Sequence, residues 1–318
     1  MHKQGPYTLN DIDSGQLRSC GSIIQLPNSD TIYLGEGKSS DSALGHDRAF
    51  YAIFSLFGSH AKKQFPNKLI KTTKSELIHF LEESILTKAE KIKFKKSLGS
   101  NDDDLYARDF NNLKSLINAG ELNKCVLKSR QNYQDITSDP LRIIYLLLQA
   151  PKGLIYGQWT NSEGLIGMTP EVLFQKDNNN YKTMALAGTR ESAKRDELLS
   201  DPKEREEHQL VIKDITNKLS PISCKIGETK LLDYNQVSHL HTELRFETNL
   251  SSEDILKKLT PTAALGGFPS RAAKNFIKNT QYFKKYDETY FGGSFLLESD
   301  DFRFSKKSFI IGVTSKII

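Results

Sequence analysis

The sequence predicts a single α+β domain in which runs of strands form sheets and helices pack on the outer faces. Three observations lead to this fold class. Short strand-like runs follow one another along the chain, helical apolar spacing separates some of them, and no long linker, low-complexity tract or repeat interrupts the 318 residues. With 37% hydrophobic residues, a chain of this length can bury a sizeable core.

The predicted elements begin after a polar N-terminus, residues 1–20, which is expected to fray. Two short strands are predicted within residues 22–34, around a Pro-Asn-Ser-Asp turn. The apolar and aromatic residues 48–57 favour a buried strand. Helical spacing of apolar side chains then predicts a helix within residues 75–96.

Helices and strands alternate through the rest of the chain. Three further strands are predicted within Tyr290–Ile318. Helical patterns are found at Leu105–Ala119, Pro140–Gln149, Pro202–Leu219, Ser252–Leu259 and Arg271–Asn279. Strand-like runs are found at Lys124–Arg130, Gly153–Trp159, Gly164–Met168, Leu173–Gln175 and Tyr181–Ala187.

Charge and cysteine usage exclude several function classes. The net charge of +5, from 44 basic and 39 acidic residues, forms no basic stripe, which disfavours nucleic acid and suits an anionic small molecule. The three cysteines are far apart and fit neither a disulfide scaffold nor a zinc site. The sequence shows no signal peptide and no run near the ~18 apolar residues of a membrane span. We therefore expect a cytoplasmic protein without a membrane partner.

Two ionisable residues stand at the ends of predicted strands. Lys124 follows the helix that stops at Gly120, and strand alternation places it on the face of Val126 and Lys128. Burial would lower its pKa and make it a general base. Glu171 follows a proline and precedes an apolar run, so that burial could raise its pKa and make it an acid. A surface lysine and an ordinary turn carboxylate are the alternatives.

Two glutamates share one face of the helix predicted from Pro202. That proline fits the first helical position, with Asp201 as the N-cap. Glu204 and Glu207 then lie three residues apart on one face, which is half of a magnesium site. The alternative is a capping box, because Glu204 stands where a capping-box glutamate belongs.

The segment 261–269, PTAALGGFP, is rich in small residues and precedes a predicted helix. The paired glycines Gly266 and Gly267 allow backbone to approach a ligand closely, and N–H groups at a helix start favour a carboxylate. A tight loop between packed elements is the alternative.

Four segments in this order resemble the chorismate-utilising enzyme family over about residues 100–293: GELNKCVLKSR, IGMTPEVLF, ALAGTRESAKRDELLSDPKEREEHQLVIKDI and PTAALGGFP. VSHLHTEL at 237–244 is similar to the HLxT segment of this family. The family includes anthranilate, aminodeoxychorismate, isochorismate and salicylate synthases. The resemblance implies a chorismate-binding domain over residues 1–318, with large, mostly antiparallel sheets packed face to face and helices on the outside.

Two positions distinguish the activities within the family. Amine-adding members have glutamine where Lys124 falls, whereas members that add water have a lysine there as the base. Aminodeoxychorismate synthases have a lysine nucleophile where this sequence has Ala187. The resemblance therefore implies an isochorismate synthase, or its relative salicylate synthase, and we expect a monomer without a glutaminase subunit.

The resemblance also assigns roles in isochorismate formation, in which water attacks C2 of chorismate and the C4 hydroxyl leaves. Lys124 would take a proton from the water, and Glu171 would protonate the leaving hydroxyl. Mg²⁺ would hold the ring carboxylate through Glu207, with Glu204 supporting. The remaining family positions, expected to lie against the substrate, are Ala187, Gly188, Thr189, His239, Thr242, Gly266 and Gly267.

The sequence departs from the family pattern near its end. Family members have a strand with a substrate-binding arginine, a glycine-rich segment, and a helix with two more magnesium-binding glutamates. Residues 308–315 align with either of the first two, and Thr314 falls at the arginine position. Glu288 stands near Tyr290, where the family often has arginine. We therefore expect a chain that lacks its final strand and helix, with weakened metal and carboxylate binding.

Three explanations of this shortened pattern are open: a truncated or frameshifted gene product, a chain shortened for expression, and a catalytically inactive relative. The alternative function is accordingly a non-catalytic protein of this fold that binds a ligand or partner. For an active enzyme, both menaquinone and siderophore synthesis are open as the pathway.

Overall fold

A computed structural model describes residues 7–27, 29–38, 50–54, 61–84, 95–96, 103–128, 133–134, 139–150, 152–286, 293–299 and 307–312. The strands are β1 Gly21–Gln25, β2 Thr31–Glu36, β3 Phe50–Phe54, β4 Ala61–Gln64, β5 Lys68–Thr73, β6 Lys95–Lys96, β7 Lys124–Cys125, β8 Tyr133–Gln134, β9 Leu154–Trp159, β10 Gly164–Thr169, β11 Val172–Asp177, β12 Asn180–Glu191, β13 Cys224–Tyr234, β14 Val237–Glu247, β15 Gly267–Phe268, β16 Ser294–Ser299 and β17 Lys307–Gly312. The α-helices are α1 Ser14–Ser19, α2 Lys74–Ser84, α3 Asp103–Asn118, α4 Pro140–Leu148, α5 Pro202–Leu219, α6 Ser252–Leu259, α7 Ser270–Asn279 and α8 Gln281–Tyr286. Short 3₁₀ helices cover Leu9–Asp11 and Ser192–Glu197.

Two large sheets form the centre of the architecture. One has five strands in the order β10-β9-β1-β2-β5, and the other has eight in the order β13-β14-β12-β11-β17-β16-β3-β4. The strand pairs described within both sheets are antiparallel. Two small ladders, β7 with β15 and β6 with β8, lie outside these sheets. The predicted α+β fold class with antiparallel sheets is confirmed.

Apolar side chains from both sheets meet in a shared core. Along β1, Ile23 packs among the helices, whereas the next residue, Ile24, packs in the core between the sheets. The ring of Phe295 from β16 lies 5.9 Å from Tyr51 of β3 and 5.6 Å from Tyr156 of β9. Because these rings come from both sheets, the sheets pack face to face as the family resemblance implies.

The helices cover the outer faces of the sheets. Leu17 of α1, Leu81 of α2 and Leu141 of α4 pack in one core with β1, β2, β5, β9 and β10. On the other side, Val211 of α5 and Leu256 of α6 pack in a core with β11, β12 and β14. No helix of the described residues is both long and apolar enough to span a membrane.

The structure corrects two predictions near the N-terminus. Fraying is predicted for residues 1–20, but Asp13 caps α1 and Leu17 is fully buried, so this segment belongs to the core from residue 7 onward. The helix predicted within 75–96 begins at Lys74, and Lys95–Lys96 form a strand instead of its end. The spacing of apolar residues along the sequence carries no information about the pairing of β6 with β8. Residues 1–6 and 85–94 lie outside the described residues.

Later elements agree better, with differences at strand ends. The predicted bounds of α5 and α6 are confirmed at both ends. Of the strand predicted over Lys124–Arg130, the structure describes residues 124–128, and within these the strand β7 covers Lys124–Cys125. Strand β12 extends four residues beyond Ala187. Two strands, β16 and β17, are described within the last predicted segment. Glu288, Tyr290 and Thr314 lie outside the described residues.

Candidate active site

Glu171 lies where the chain crosses from one sheet to the other. Pro170 and Glu171 link β10 of the five-stranded sheet to β11 of the eight-stranded sheet. The glutamate is 2% exposed, and burial raises its pKa to about 7, against the opposing effects of the Lys124 charge and a hydrogen bond from Thr262. Thr262 Oγ1 donates to Glu171 Oε1 at 3.5 Å. A carboxyl that titrates near neutrality can serve as a general acid.

Lys124 is held by the small ladder between β7 and β15. In this ladder Lys124 is paired with Phe268, and the Val126 N–H donates to the Gly266 carbonyl at 2.9 Å. A Cβ at Gly267 would lie 2.3 Å from the backbone oxygen of Lys124. Glycine is therefore required at 267 for the two backbones to approach this closely. The predicted close approach at the paired glycines is between two chain segments, which agrees with the tight-loop alternative.

The Lys124 side chain interacts with two carboxyl groups. Its Nζ donates to Glu207 Oε1 on α5, and the lysine side chain is only 13% exposed. Its charge also acts on the buried Glu171. The structure thus brings the predicted base, the predicted acid and helix α5 together in one place.

Glu204 connects the start of α5 to β12. Asp201 caps the helix by accepting from the N–H groups of Lys203 and Glu204, at 2.9 and 3.1 Å. The Glu204 carboxylate accepts from the Thr189 N–H at 2.9 Å and from Lys203 Nζ at 3.2 Å. The Asp201 N–H donates to the Glu197 carbonyl instead, so the capping-box interpretation of Glu204 is wrong.

A bulge in β12 presents Thr189 to this helix. Gly188 has a φ of +75°, and the register of β12 against β14 shifts between Ala187 and Thr189. A Cβ at Gly188 would lie 3.0 Å from the backbone oxygen of Glu204. Thr189 Oγ1 also bonds His239 Nδ1 at 2.9 Å. Thr189 therefore links Glu204 to His239, and Gly188 lies against the same turn of α5.

Thr242 and Ala187 occupy a different environment. Thr242 is fully buried, and its hydroxyl bonds His208 Nε2 at 2.7 Å and Thr229 Oγ1 at 2.8 Å. Burial lowers the pKa of His208 to about 4, so this imidazole is neutral at physiological pH. Ala187 packs in the core between α5 and the sheet. Both side chains belong to the packed interface that holds α5 in place.

The described residues fit a magnesium ion only through Glu207. No group of three or more His, Cys, Asp or Glu among them could hold a metal. Glu204 is already occupied by Thr189 and Lys203, whereas the Glu207 side chain is 34% exposed and only its Oε1 meets Lys124. Magnesium is commonly held by one or two carboxylates together with water and an anionic substrate. Glu207 suits that role, and Glu204 would join it only by releasing its present partners.

The sequence reasoning missed two groups that structure this site. Thr262 lies within the PTAALGGFP segment, where no sequence signal distinguishes its hydroxyl. Asp214 and Lys218 lie four residues apart on the predicted helix and form a buried ion pair of 2.7 Å. The i, i+4 spacing of opposite charges was a readable signal for that pair.

Comparison with known proteins identifies the family. A family model described as chorismate binding enzyme matches residues 46–290. The chain belongs to the chorismate-binding enzyme family. The family predicted from four motifs is therefore confirmed.

Individual relatives of this chorismate-binding chain have two kinds of name. Isochorismate synthase MenF of Pasteurella multocida is 31% identical over 195 residues, which is 56% of this chain and 44% of that protein. Anthranilate synthase component 1 of a Neisseria meningitidis serogroup B strain is 29% identical over 193 residues, 55% of this chain and 39% of that protein. The chain spans about half the length of the curated relatives it matches.

A solved structure supports the same fold. The menaquinone-specific isochorismate synthase MenF of Escherichia coli superposes with a TM-score of 0.75 at 17% identity. The match covers 97% of this chain and 83% of that one. At this identity the similarity shows the fold of the chorismate-binding chain but not its activity.

Proposed function

We propose that the chain is an isochorismate synthase, which isomerises chorismate by attack of water at C2 and loss of the C4 hydroxyl. One observation supports this most strongly: the Lys124 ammonium donates to the Glu207 carboxylate, and its charge acts on the buried Glu171 carboxyl. The names of the MenF relatives support the same reaction. They also favour menaquinone synthesis as the pathway that uses the product.

Glu171 is suited to protonate the departing C4 hydroxyl. With a pKa of about 7, a substantial fraction of this carboxyl holds a proton at neutral pH. Loss of hydroxide without a proton donor is difficult, so a protonated carboxyl lowers the barrier to C–O cleavage.

Lys124 is suited to receive the proton of the attacking water. An ammonium has no lone pair, so Lys124 has to release a proton to water and open its contact with Glu207 Oε1 before it acts as a base. Glu207 is then free to act as a magnesium ligand. A bound magnesium ion would supply positive charge to hold the ring carboxylate. Thr189 and His239 lie beside the same helix start and would contact the substrate.

The decisive experiment is product analysis with chorismate and MgCl₂. We expect the purified chain to form isochorismate, separable by chromatography from salicylate and anthranilate, and to lose this activity with EDTA. Lys124→Gln is expected to lower kcat by about 10²-fold or more. The matched control is Lys182→Gln, since Lys182 forms an exposed ion pair with Glu243 at 3.2 Å.

The outcomes separate the competing functions. Salicylate as product would indicate the related synthase, and anthranilate formed with ammonia would indicate amine transfer. Chorismate binding without turnover, in wild-type protein whose folding is verified by circular dichroism, would contradict an enzymatic role and favour a binding protein.

A further inference from the structure

We propose that Asp214 and Lys218 of α5 are positioning residues that clamp the loop 260–268, and that this loop aligns Glu171 with Lys124. The inference rests on the proposed function only in naming Glu171 as the acid and Lys124 as the base. The clamp itself is defined by contacts within the protein.

The ion pair forms hydrogen bonds to the loop backbone on both sides of Thr262. Lys218 Nζ donates to Asp214 Oδ2 at 2.7 Å and also to the Pro261 carbonyl. The Ala263 N–H donates to the same Asp214 oxygen at 2.8 Å. Asp214 is 1% exposed, so each of these bonds is made away from water.

The clamped loop reaches both functional groups. Thr262 Oγ1 contacts the Glu171 carboxyl, and the Thr262 carbonyl accepts from the Gly266 N–H at 2.8 Å. The Gly266 carbonyl in turn accepts from the Val126 N–H, two residues after Lys124. Hydrogen bonds and the short backbone of residues 261–266 therefore connect the ion pair to the acid on one side and to the strand of the base on the other.

Burying the charges of Asp214 and Lys218 costs hydration free energy, which argues for a role other than stability. Burial raises the pKa of Asp214 and lowers the pKa of Lys218, because each charged form loses hydration. Neighbouring positions of α5 hold apolar side chains, such as Ile215 and Leu219. A buried ion pair contributes little net stability compared with apolar residues of similar volume. Its bonds are directional, however, and they fix the backbone of the loop at two points.

The test removes both charges at once, since a single deletion would strand the other charge in the core. The variant is Asp214→Asn with Lys218→Met. Its matched control is Glu253→Gln with Lys257→Met, which removes an exposed i, i+4 pair of 3.3 Å on α6. Hydrogen exchange of the Ala263, Gly266 and Val126 amides is measured without substrate, and kcat and KM are measured with chorismate.

We expect exchange at these three amides to rise about tenfold or more while the amides of β12 and β14 stay protected. We expect kcat to fall by about 10- to 100-fold with a smaller change in KM, because misalignment of acid and base acts on the chemical step. Lys218→Arg, which retains a charged donor, and the α6 control are expected to behave like the parent. If the double variant does not fold, Asp214→Asn with Lys218→Gln, which also removes both charges, provides the same comparison.

Two results would overturn the inference. One is faster exchange spread evenly over the whole domain, which would indicate a merely stabilising pair. The other is unchanged exchange at the three amides. If exchange rises at those amides but the parent protein does not turn over chorismate, the clamp is supported and the proposed function fails.

Discussion

Glu36 and Glu171 are both almost fully buried, yet their surroundings differ. Glu36, in the five-stranded sheet, faces Lys68 Nζ at 2.9 Å and accepts from the Asp13 N–H at 2.6 Å. Glu171, at the junction of the two sheets, receives only a 3.5 Å hydrogen bond from Thr262 and the more distant influence of Lys124. Burial alone is therefore a poor guide to chemistry.

The difference lies in how well each charge is compensated. Glu36 has a close cation and a short N–H bond, so its side chain anchors the N-terminal segment to β2 and β5. Glu171 has weak compensation and full desolvation, so its proton is retained to near neutral pH. The first environment stabilises structure and the second provides a titrating group.

The largest expected effect is a difference in kcat between substitutions of Glu171 and of Glu36. Glu171→Gln is expected to lower kcat by about 10²- to 10⁴-fold, because the amide cannot give a proton to the leaving hydroxyl. Glu36→Gln is expected to change kcat by only a few-fold in the folded fraction. Steady-state assays at pH 6.5 with isochorismate detection test both variants, and similar losses in the two would remove the distinction.

The second effect concerns stability against pH. Because the folded pKa of Glu171 is raised from 4.5 to about 7, the folded state binds the extra proton between these values. The resulting stability is complete below pH 4.5 and is lost as pH rises to about 7, by roughly 3 kcal/mol in the free energy of unfolding. Urea titrations should show this slope in the parent and in Glu36→Gln, and its absence in Glu171→Gln. An unchanged slope in Glu171→Gln would assign the pH dependence to other groups.

A smaller effect is expected from Thr262→Val, which deletes the hydroxyl at nearly constant shape. The hydrogen bond lowers the pKa of Glu171, so its loss should raise that pKa by less than about one unit. The pH above which kcat falls would move upward accordingly. Thr260→Val, which removes a 3.0 Å bond to Ser294 from the same loop, is the control. A downward shift in Thr262→Val would contradict this account.

The smallest effect is expected at Lys68, the partner of Glu36. Lys68→Met removes a partly exposed cation but leaves the Asp13 N–H in place. We expect kcat to stay unchanged, as measured by the same assay. Calorimetry should show a melting temperature lower by several degrees, because the fully buried Glu36 loses its cation. A marked loss of activity would mean that the five-stranded sheet influences the reacting groups directly.

Local patterns predicted the parts of this structure that depend on local physics. Proline at the first turn and an aspartate cap set the start of α5 at Pro202, and apolar spacing set its length. By contrast, β13 was not predicted, because none of its residues is buried and the strand is held by pairing with β14. The pairing of Lys95 with Gln134 could not be predicted from a local sequence pattern either.

The site was predicted from motifs, and its geometry was only partly accessible. Lys124 and Glu171 lie 47 positions apart, so their proximity depends on the fold and followed only from the family resemblance. The alternatives for Glu204 could not be separated by sequence, since both require a glutamate three residues after the cap. In the structure, the Glu204 carboxylate accepts from the Thr189 N–H, and the Asp201 N–H that a capping box would use donates to the Glu197 carbonyl.

Pro170 and Glu171 form the two-residue connection between the sheets, so the acid lies at the junction of the two sheets. Any slip of one sheet over the other would displace this carboxyl relative to Lys124, which is fixed elsewhere. The aromatic contacts of Phe295 with Tyr51 and Tyr156 resist such a slip. Substitutions of these three aromatic residues are thus expected to slow proton transfer, even though their side chains contact neither the acid nor the base.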